Sequence, residues 1–352
     1  MTHRNFSLRH RYTQGFSLIE LMVSLTIGLV IAIAAGSAYL GSAGAGRMAE
    51  AQSRMNEDAQ AALNILAQQI SMAAANPSQP NRADDYRHNP VFDSTYVGGS
   101  VTAYPGTAYT LSFTPATATF AVSPYSIRGC DGTFSNITTA TATSALNTSS
   151  CASTGTATVA DSIAISYEAD RYDTVATAGG LPTDCLGSTL TPIITASFPP
   201  TLPPTATSGT YTVADNRFYV GTPAGIVTPS LYCKGSSSAA QPLVENVEDM
   251  QLTYGTVSTT NAATTATIAG YLSAAEVEAL TITPSTANDD FVRWGKVLTV
   301  RICVLVRSEN PVAPDANAAK YDDCLGNTNV NAPDLRLRRA YWTTVVLRNR
   351  RL

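Results

Sequence analysis

From Leu21 to Leu40 the chain runs twenty residues without a charge: Leu-Met-Val-Ser-Leu-Thr-Ile-Gly-Leu-Val-Ile-Ala-Ile-Ala-Ala-Gly-Ser-Ala-Tyr-Leu. As an α-helix rising 1.5 Å per residue, this stretch is about 30 Å long, the thickness of a bilayer core. Arg4, Arg9 and Arg11 precede it, with no acid in residues 1–15. The positive-inside rule therefore puts that end in the cytoplasm, and everything after residue 40 is expected to be exported. An ordinary secretory signal carries its cleavage site after the apolar stretch. Here the candidate junction lies before it, at Gln14-Gly15-Phe16-Ser17-Leu18-Ile19-Glu20-Leu21.

A short basic leader, then Gly15-Phe16, three residues and Glu20 ahead of a hydrophobic helix resembles the class III signal of type IV prepilins. The resemblance covers residues 10–40. It implies that a membrane aspartyl peptidase cuts after Gly15 and that the same enzyme methylates the new amine of Phe16. Glu20 gives the match physical content. A carboxylate at the edge of an apolar span costs a few kcal/mol unless it is paired. Cleavage creates an ammonium on Phe16, one helical turn away, or on a neighbouring subunit of a filament. In low dielectric that charge offsets the desolvation and sets the register between packed helices. The plainer alternative is a Glu20 that snorkels to the headgroups. Major pilins often carry a helix-breaking Pro in the apolar half, whereas this chain has none between Phe16 and Ala75. Gly28 and Gly36 are the weak points that remain.

The helix is expected to continue past the span. Met48, Ala51, Met55, Ala59, Ala62, Leu66, Ile70 and Ala73 recur at three- and four-residue steps, with Arg54, Glu57, Asp58, Asn64 and Gln68 between them. Asn76-Pro77 should end it, because the residue before Pro is pushed out of the α region. Beyond Pro80 the pattern changes to short alternating runs. Ile163, Ile165 and Tyr167 share one face, as do Met250, Leu252 and Tyr254, with Asp249, Gln251 and Thr253 opposite. The strongest strand is Val297 to Arg307, with Leu298, Val300, Ile302, Val304 and Val306 on one side. A final strand runs from about Arg338 to Leu347. The stretches 135–158 and 256–268, rich in Thr, Ala and Ser, read as solvated loops or edge strands. The fold class expected is α+β: a long N-terminal pilin helix, transmembrane then amphipathic, packed on a mainly antiparallel β-rich body. Its parts would be a cleaved leader (1–15), a transmembrane and filament-core helix (16–40), its amphipathic continuation (41–76), and an exported globular region (77–352) of one or two lobes.

Six cysteines occur, Cys130, Cys151, Cys185, Cys233, Cys303 and Cys324, and none forms a CxxC or sits among histidines. Zinc and dithiol chemistry are poorly served by that spacing, and an even count in a polar body suits an oxidising compartment. Fifteen pairings are open. The sequential one, 130–151, 185–233 and 303–324, closes three separate local loops, each worth about 3 kcal/mol in the chain-entropy account. Free buried thiols are the alternative.

The segment from Pro242 to Gly255, the strand from Trp294 to Ser308, and the ending Thr344-Val-Val-Leu-Arg-Asn-Arg350 resemble PilW-type minor pilins. That resemblance implies a low-copy subunit that primes filament assembly near the tip. Its partners would be the prepilin peptidase, the inner membrane, other minor and major pilins, and a PilY-type tip adhesin. The anchored body would stand in the periplasm before assembly and outside the cell, in the pilus, afterwards. The rival readings are a minor pseudopilin of a type II secretion system, with the same N-terminal chemistry, and a tip binding module for surfaces or DNA.

Catalysis is poorly supported. The exported part holds one histidine, His88, and no nucleophile elbow, HExxH or Gly-rich phosphate loop. No small-molecule substrate and no cofactor are expected. Calcium is the one candidate ion, because related pseudopilins hold it in loops. Asn288-Asp289-Asp290 and Asp322-Asp323 would supply only part of the six to eight oxygens it wants. Arg336, Arg338, Arg339, Arg348, Arg350 and Arg351 make the C-terminus basic. Nucleic-acid binding is the lesser reading of that cluster, since the chain's net charge is −4. Arg336-Leu-Arg338 is read as facing solvent on one side of a strand.

Overall fold

Apolar residues at steps of three and four fall on one face of a helix, where they can be buried together. In a computed structural model of the chain, α1 (Leu18–Met72) buries Met55, Ala59, Ala62, Leu66 and Ile70. The structure describes residues 15–75, 101–102, 108–109, 126–135, 137, 151–152, 159–190, 193–195, 209–222, 228–235, 239–257, 268–281 and 293–349. His88, the Asn288–Asp290 run, Arg350, Arg351 and most of the two hydroxyl-rich stretches lie outside them.

The chain divides into two units, Met1–Glu50 and Ala51–Leu352. In the first, the described residues are helical from Leu18 onward, and their large side chains, Leu21, Leu25, Leu29 and Ile33 among them, are exposed. This stretch is long and apolar enough to cross a membrane. Its Ser and Thr hydroxyls are already satisfied. Ser24, Thr26 and Ser37 donate to the carbonyls of Leu21, Val23 and Ala34 at 2.8–3.0 Å. In lipid that local bonding removes most of the cost of carrying a hydroxyl.

The second unit holds the end of α1 and the strands. In chain order these are β1 (Val101–Thr102), β2 (Ala108–Tyr109), β3 (Ile127–Cys130), β4 (Ser162–Glu168), β5 (Ile193–Thr195), β6 (Gly209–Tyr211), β7 (Val213–Gly221), β8 (Ser230–Lys234), β9 (Gln241–Glu245), β10 (Val247–Val257), β11 (Ile268–Leu272), β12 (Val297–Arg307) and β13 (Arg338–Val346). A short helix, α2 (Ala274–Glu278), follows β11. Strands β3-β4-β7-β8-β9 form one antiparallel sheet and β11-β10-β12-β13 another, while β1-β2 and β5-β6 pair separately. One hydrophobic core joins the α1 stripe to both larger sheets, through Ile163, Ile165 and Phe218 on one and Leu252, Tyr254 and Ile302 on the other.

Three joints hold these layers in place. Asn246, at φ 64°, is the single residue between β9 and β10 and turns the chain from one sheet into the other. Its amide donates to Asp58 on α1 at 3.3 Å, and its carbonyl accepts from Arg307 at 3.0 Å. Asp161, buried just before β4, accepts from the N–H of Gly132 (3.2 Å) and of Leu252 (2.7 Å), and its own N–H donates to Met250. At the end of α1, Ala74 donates to Ser166 and Ala75 accepts from Glu168, so the chain leaving the helix is bonded to β4.

Four details depart from the sequence expectations. The helix ends at Met72, short of Asn76-Pro77, because Ala74 takes the left-handed conformation (φ 65°) that delivers the chain to β4. In β12 a bulge leaves Leu298 unpaired against β10, since Gly255 faces Thr299 and Thr256 faces Val297. Val297 therefore takes the fully buried place expected of Leu298. Trp294 precedes the strand and packs edge-on to Tyr254, with ring centroids 4.9 Å apart. Finally, β4 is buried on both faces, not only along Ile163, Ile165 and Tyr167.

Candidate functional site

The junction residues stand at the head of α1. Among the described residues, chain neighbours aside, no atom lies within 4 Å of where a Gly15 Cβ would stand, and Phe16 is 85% exposed. Ser17 opens the helix, its carbonyl accepting from Leu21 at 3.1 Å. The N–H of Ser17 donates to Glu20 Oε2, also at 3.1 Å. This is half of a capping box, the Glu at the third helical position reaching back to the residue before the first turn. The signal was present in the sequence as Ser17-Leu18-Ile19-Glu20, but the helix-capping reading of Glu20 was missed there. A negative charge at this end of a helix is favoured by the unpaired N–H groups of the first turn. The carboxylate is thus drawn toward the end of the chain that processing would expose.

In the body, Cys130–Cys151, Cys185–Cys233 and Cys303–Cys324 are disulfide-bonded, with Cα separations of 5.5, 6.5 and 5.7 Å. The C-terminal arginines do not act as a set. Arg338 is buried, bonded to Glu248 at 2.6 and 3.1 Å and to Asp334 at 2.7 Å. That overturns its expected exposure, and the reason is the two acids that flank it. Bonds from Arg338 and then Arg336 hold the Asp334 carboxyl well below the usual carboxylate range. Arg339 and Arg348 are exposed.

Asp322 and Asp323 spend their oxygens on their own loop. Asp323 accepts from the N–H groups of Leu325 and Asn327 and from the Asn327 amide, and Asp322 accepts from Asn329. Among the described residues no group of three or more His, Cys, Asp or Glu side chains converges as a metal site would require. Burial raises Asp161 to about 8, against the pull of the Leu252 N–H and with help from the charge of Asp131. That carboxyl lies between strands, where it serves as a structural joint.

A long apolar N-terminal helix leading into a mainly antiparallel β body is the α+β architecture of pilin-like proteins. Residues 10–36 match the family model described as Prokaryotic N-terminal methylation motif, and residues 217–349 match Type IV Pilus-assembly protein W. Nothing among curated proteins or solved structures matches the chain. Together the two matches support a PilW-like minor-pilin role in type IV pilus assembly. PilW-family pilins are structural subunits, and that is the role the match supports.

Proposed function

We propose that the chain is cut between Gly15 and Phe16, methylated on the new Phe16 amine, and installed in a pilus by pairing that amine with Glu20. The observation that carries this reading is the 3.1 Å bond from Ser17 N–H to Glu20 Oε2. It keeps the carboxylate one residue from the nitrogen that cleavage would set free. Gly15 adds support. Among the described residues nothing outside its chain neighbours lies within 4 Å of where its Cβ would stand, so no described packing demands glycine there. A processing peptidase that needs a small residue before the cut would.

On this reading residues 1–15 are a discarded leader, 16–40 anchor in the inner membrane and later enter the filament core, and 41–76 carry the helix into the body. Residues 77–352 stand in the periplasm before assembly and outside the cell after it. The subunit primes assembly with other minor pilins near the tip, beneath a PilY-type adhesin, after the prepilin peptidase has acted. Mass spectrometry of the mature N-terminus tests the first step. Methylated Phe16 as residue one is expected in cells with an active peptidase, and a retained leader overturns the reading. Glu20→Ala should then lower filament incorporation at least tenfold without changing processing.

A further inference from the structure

A β-sheet ends in a row of unpaired backbone groups, and stable proteins blunt such edges with short strands, prolines, bulges or cover. The two larger sheets have four edges, and three are treated this way. The β3 edge is four residues long and buried. The β9 edge carries Pro242, and its pairing with β8 shifts register between Leu231 and Tyr232. The β11 edge is five residues long with Gly270 inside it, and its pairing with β10 also shifts. The β13 edge is nine residues long, pairs with β12 in unbroken register, and contains neither Pro nor Gly.

The direction of its free groups follows from the ladder. Leu347 donates to Leu298, and Ser308 donates to Leu337. Both bonds continue the register in which Val345, Thr343, Tyr341 and Arg339 face Val300, Ile302, Val304 and Val306. Antiparallel bonding uses every second residue, so the N–H and C=O groups of Ala340, Trp342, Thr344 and Val346 point away from β12. They have no backbone partner among the described residues. Trp342 and Val346 beside them are 51% and 52% exposed. The strand runs alongside α1, with Tyr341 bonded to Asn56 at 2.6 Å and Asn349 to Ser71 at 2.8 Å.

We propose that β13 is a strand-addition site: an extended, acid-bearing segment of a different pilus subunit pairs with its free edge. Backbone bonds to Ala340, Trp342, Thr344 and Val346 would supply affinity, and Trp342 and Val346 would cover apolar residues of the incoming strand. Charge selects the partner. Arg336 and Arg338 are paired with Asp334 and Glu248, which leaves Arg339 and Arg348 as the exposed charges at the two ends of the edge. Carboxylates on the added strand complement them, whereas a second copy of β13 would bring arginines toward arginines. The inference rests on the pilin reading, because it takes the neighbour to be a subunit of the same filament.

The test uses the full-length chain in piliated cells. A photo-crosslinking benzophenone amino acid is placed singly at the position of Trp342 or Val346, and at exposed Tyr172 as an off-site control. An adduct from the first two positions is expected, joined to an extended segment of another pilus subunit that contains Asp or Glu. Thr344→Pro should cut its yield at least tenfold, since that N–H faces away from β12 and the ladder survives its loss. Val346→Glu, read with the crosslinker at position 342, leaves every backbone group in place and sets a carboxylate against the incoming acids, so it should lower the yield similarly, which guards against misfolding by the proline. An adduct with a second copy overturns the proposal, as do adducts unchanged by Thr344→Pro, or none in a chain that enters filaments. The N-terminal mass is read from the same cells. A retained leader refutes the pilin reading, whereas a processed chain that gives no adduct refutes strand addition alone.

Discussion

Replacing Asp161 by Asn should change how stability depends on pH more than it changes stability at any one pH. The carboxyl is buried between β4 and β10 and accepts two backbone N–H bonds. In the unfolded chain it ionises near 3.8, and in the folded chain it keeps its proton up to about 8, chiefly because burial penalises the charge. A group raised in this way supports the fold fully below the unfolded value, and that support drains away as pH climbs toward the folded value. The slope is about 1.4 kcal/mol per pH unit, which over this window amounts to on the order of 5 kcal/mol. Ordinary domain stabilities are about 5–15 kcal/mol, so the loss would be conspicuous. The assay is urea unfolding of the oxidised chain at pH 4 to 8, for the parent and for Asp161→Asn. Asp173, raised to about 6 mainly by burial, titrates in both proteins and cancels in the difference. The amide variant would forfeit one acceptor and start out weaker, then close the gap and overtake as pH rises. Profiles that stay parallel from pH 4 to 8 would refute the reasoning.

Gly129→Ala should destabilise the body by about 3 kcal/mol or more, because the new Cβ would lie 1.8 Å from the Tyr254 hydroxyl oxygen. Tyr254 is fully buried against Trp294 and has nowhere to go. A cycle with Tyr254→Leu, followed by thermal unfolding, should show strong coupling, and additive losses would contradict the contact. Ala74→Val should cost about 2 kcal/mol or more, since a β-branched side chain resists the left-handed backbone at φ 65°. Ala74→Gly should stay within about 1 kcal/mol of the parent, as relief of strain offsets lost burial and added chain entropy. Equal melting temperatures for the two variants would remove the backbone explanation.

The large elements were legible because their periods are strong. Met55, Ala59, Ala62, Leu66 and Ile70 repeat as a helix face repeats, and Val300, Ile302, Val304 and Val306 alternate as one face of a strand does, although Cys303 and Leu305 on the other face are buried too. The Gly15-Phe16…Glu20 spacing was legible for the same reason: little else places a carboxylate there, at the mouth of an apolar run. What escaped depended on partners distant in sequence. The exchange of Val297 for Leu298 is set by where β12 bulges against β10, and alanine carries no local signal for the turn that ends α1 at Met72. Arg338 looked exposed because Glu248 lies ninety residues away, yet the fold brings the two together.

The joint at Asn246 has no slack. A strand alternates with a period of two, so one residue gained or lost there would turn β10 over. Met250, Leu252 and Tyr254 would swing to the side now held by Asp249, Gln251 and Thr253, and the core would receive an acid where it now has a thioether. Length variation among relatives should therefore be absent at this corner and crowd into the hydroxyl-rich stretches. An alignment of close relatives with gaps scattered evenly through residues 241–257 would show the hinge to be looser than its geometry implies.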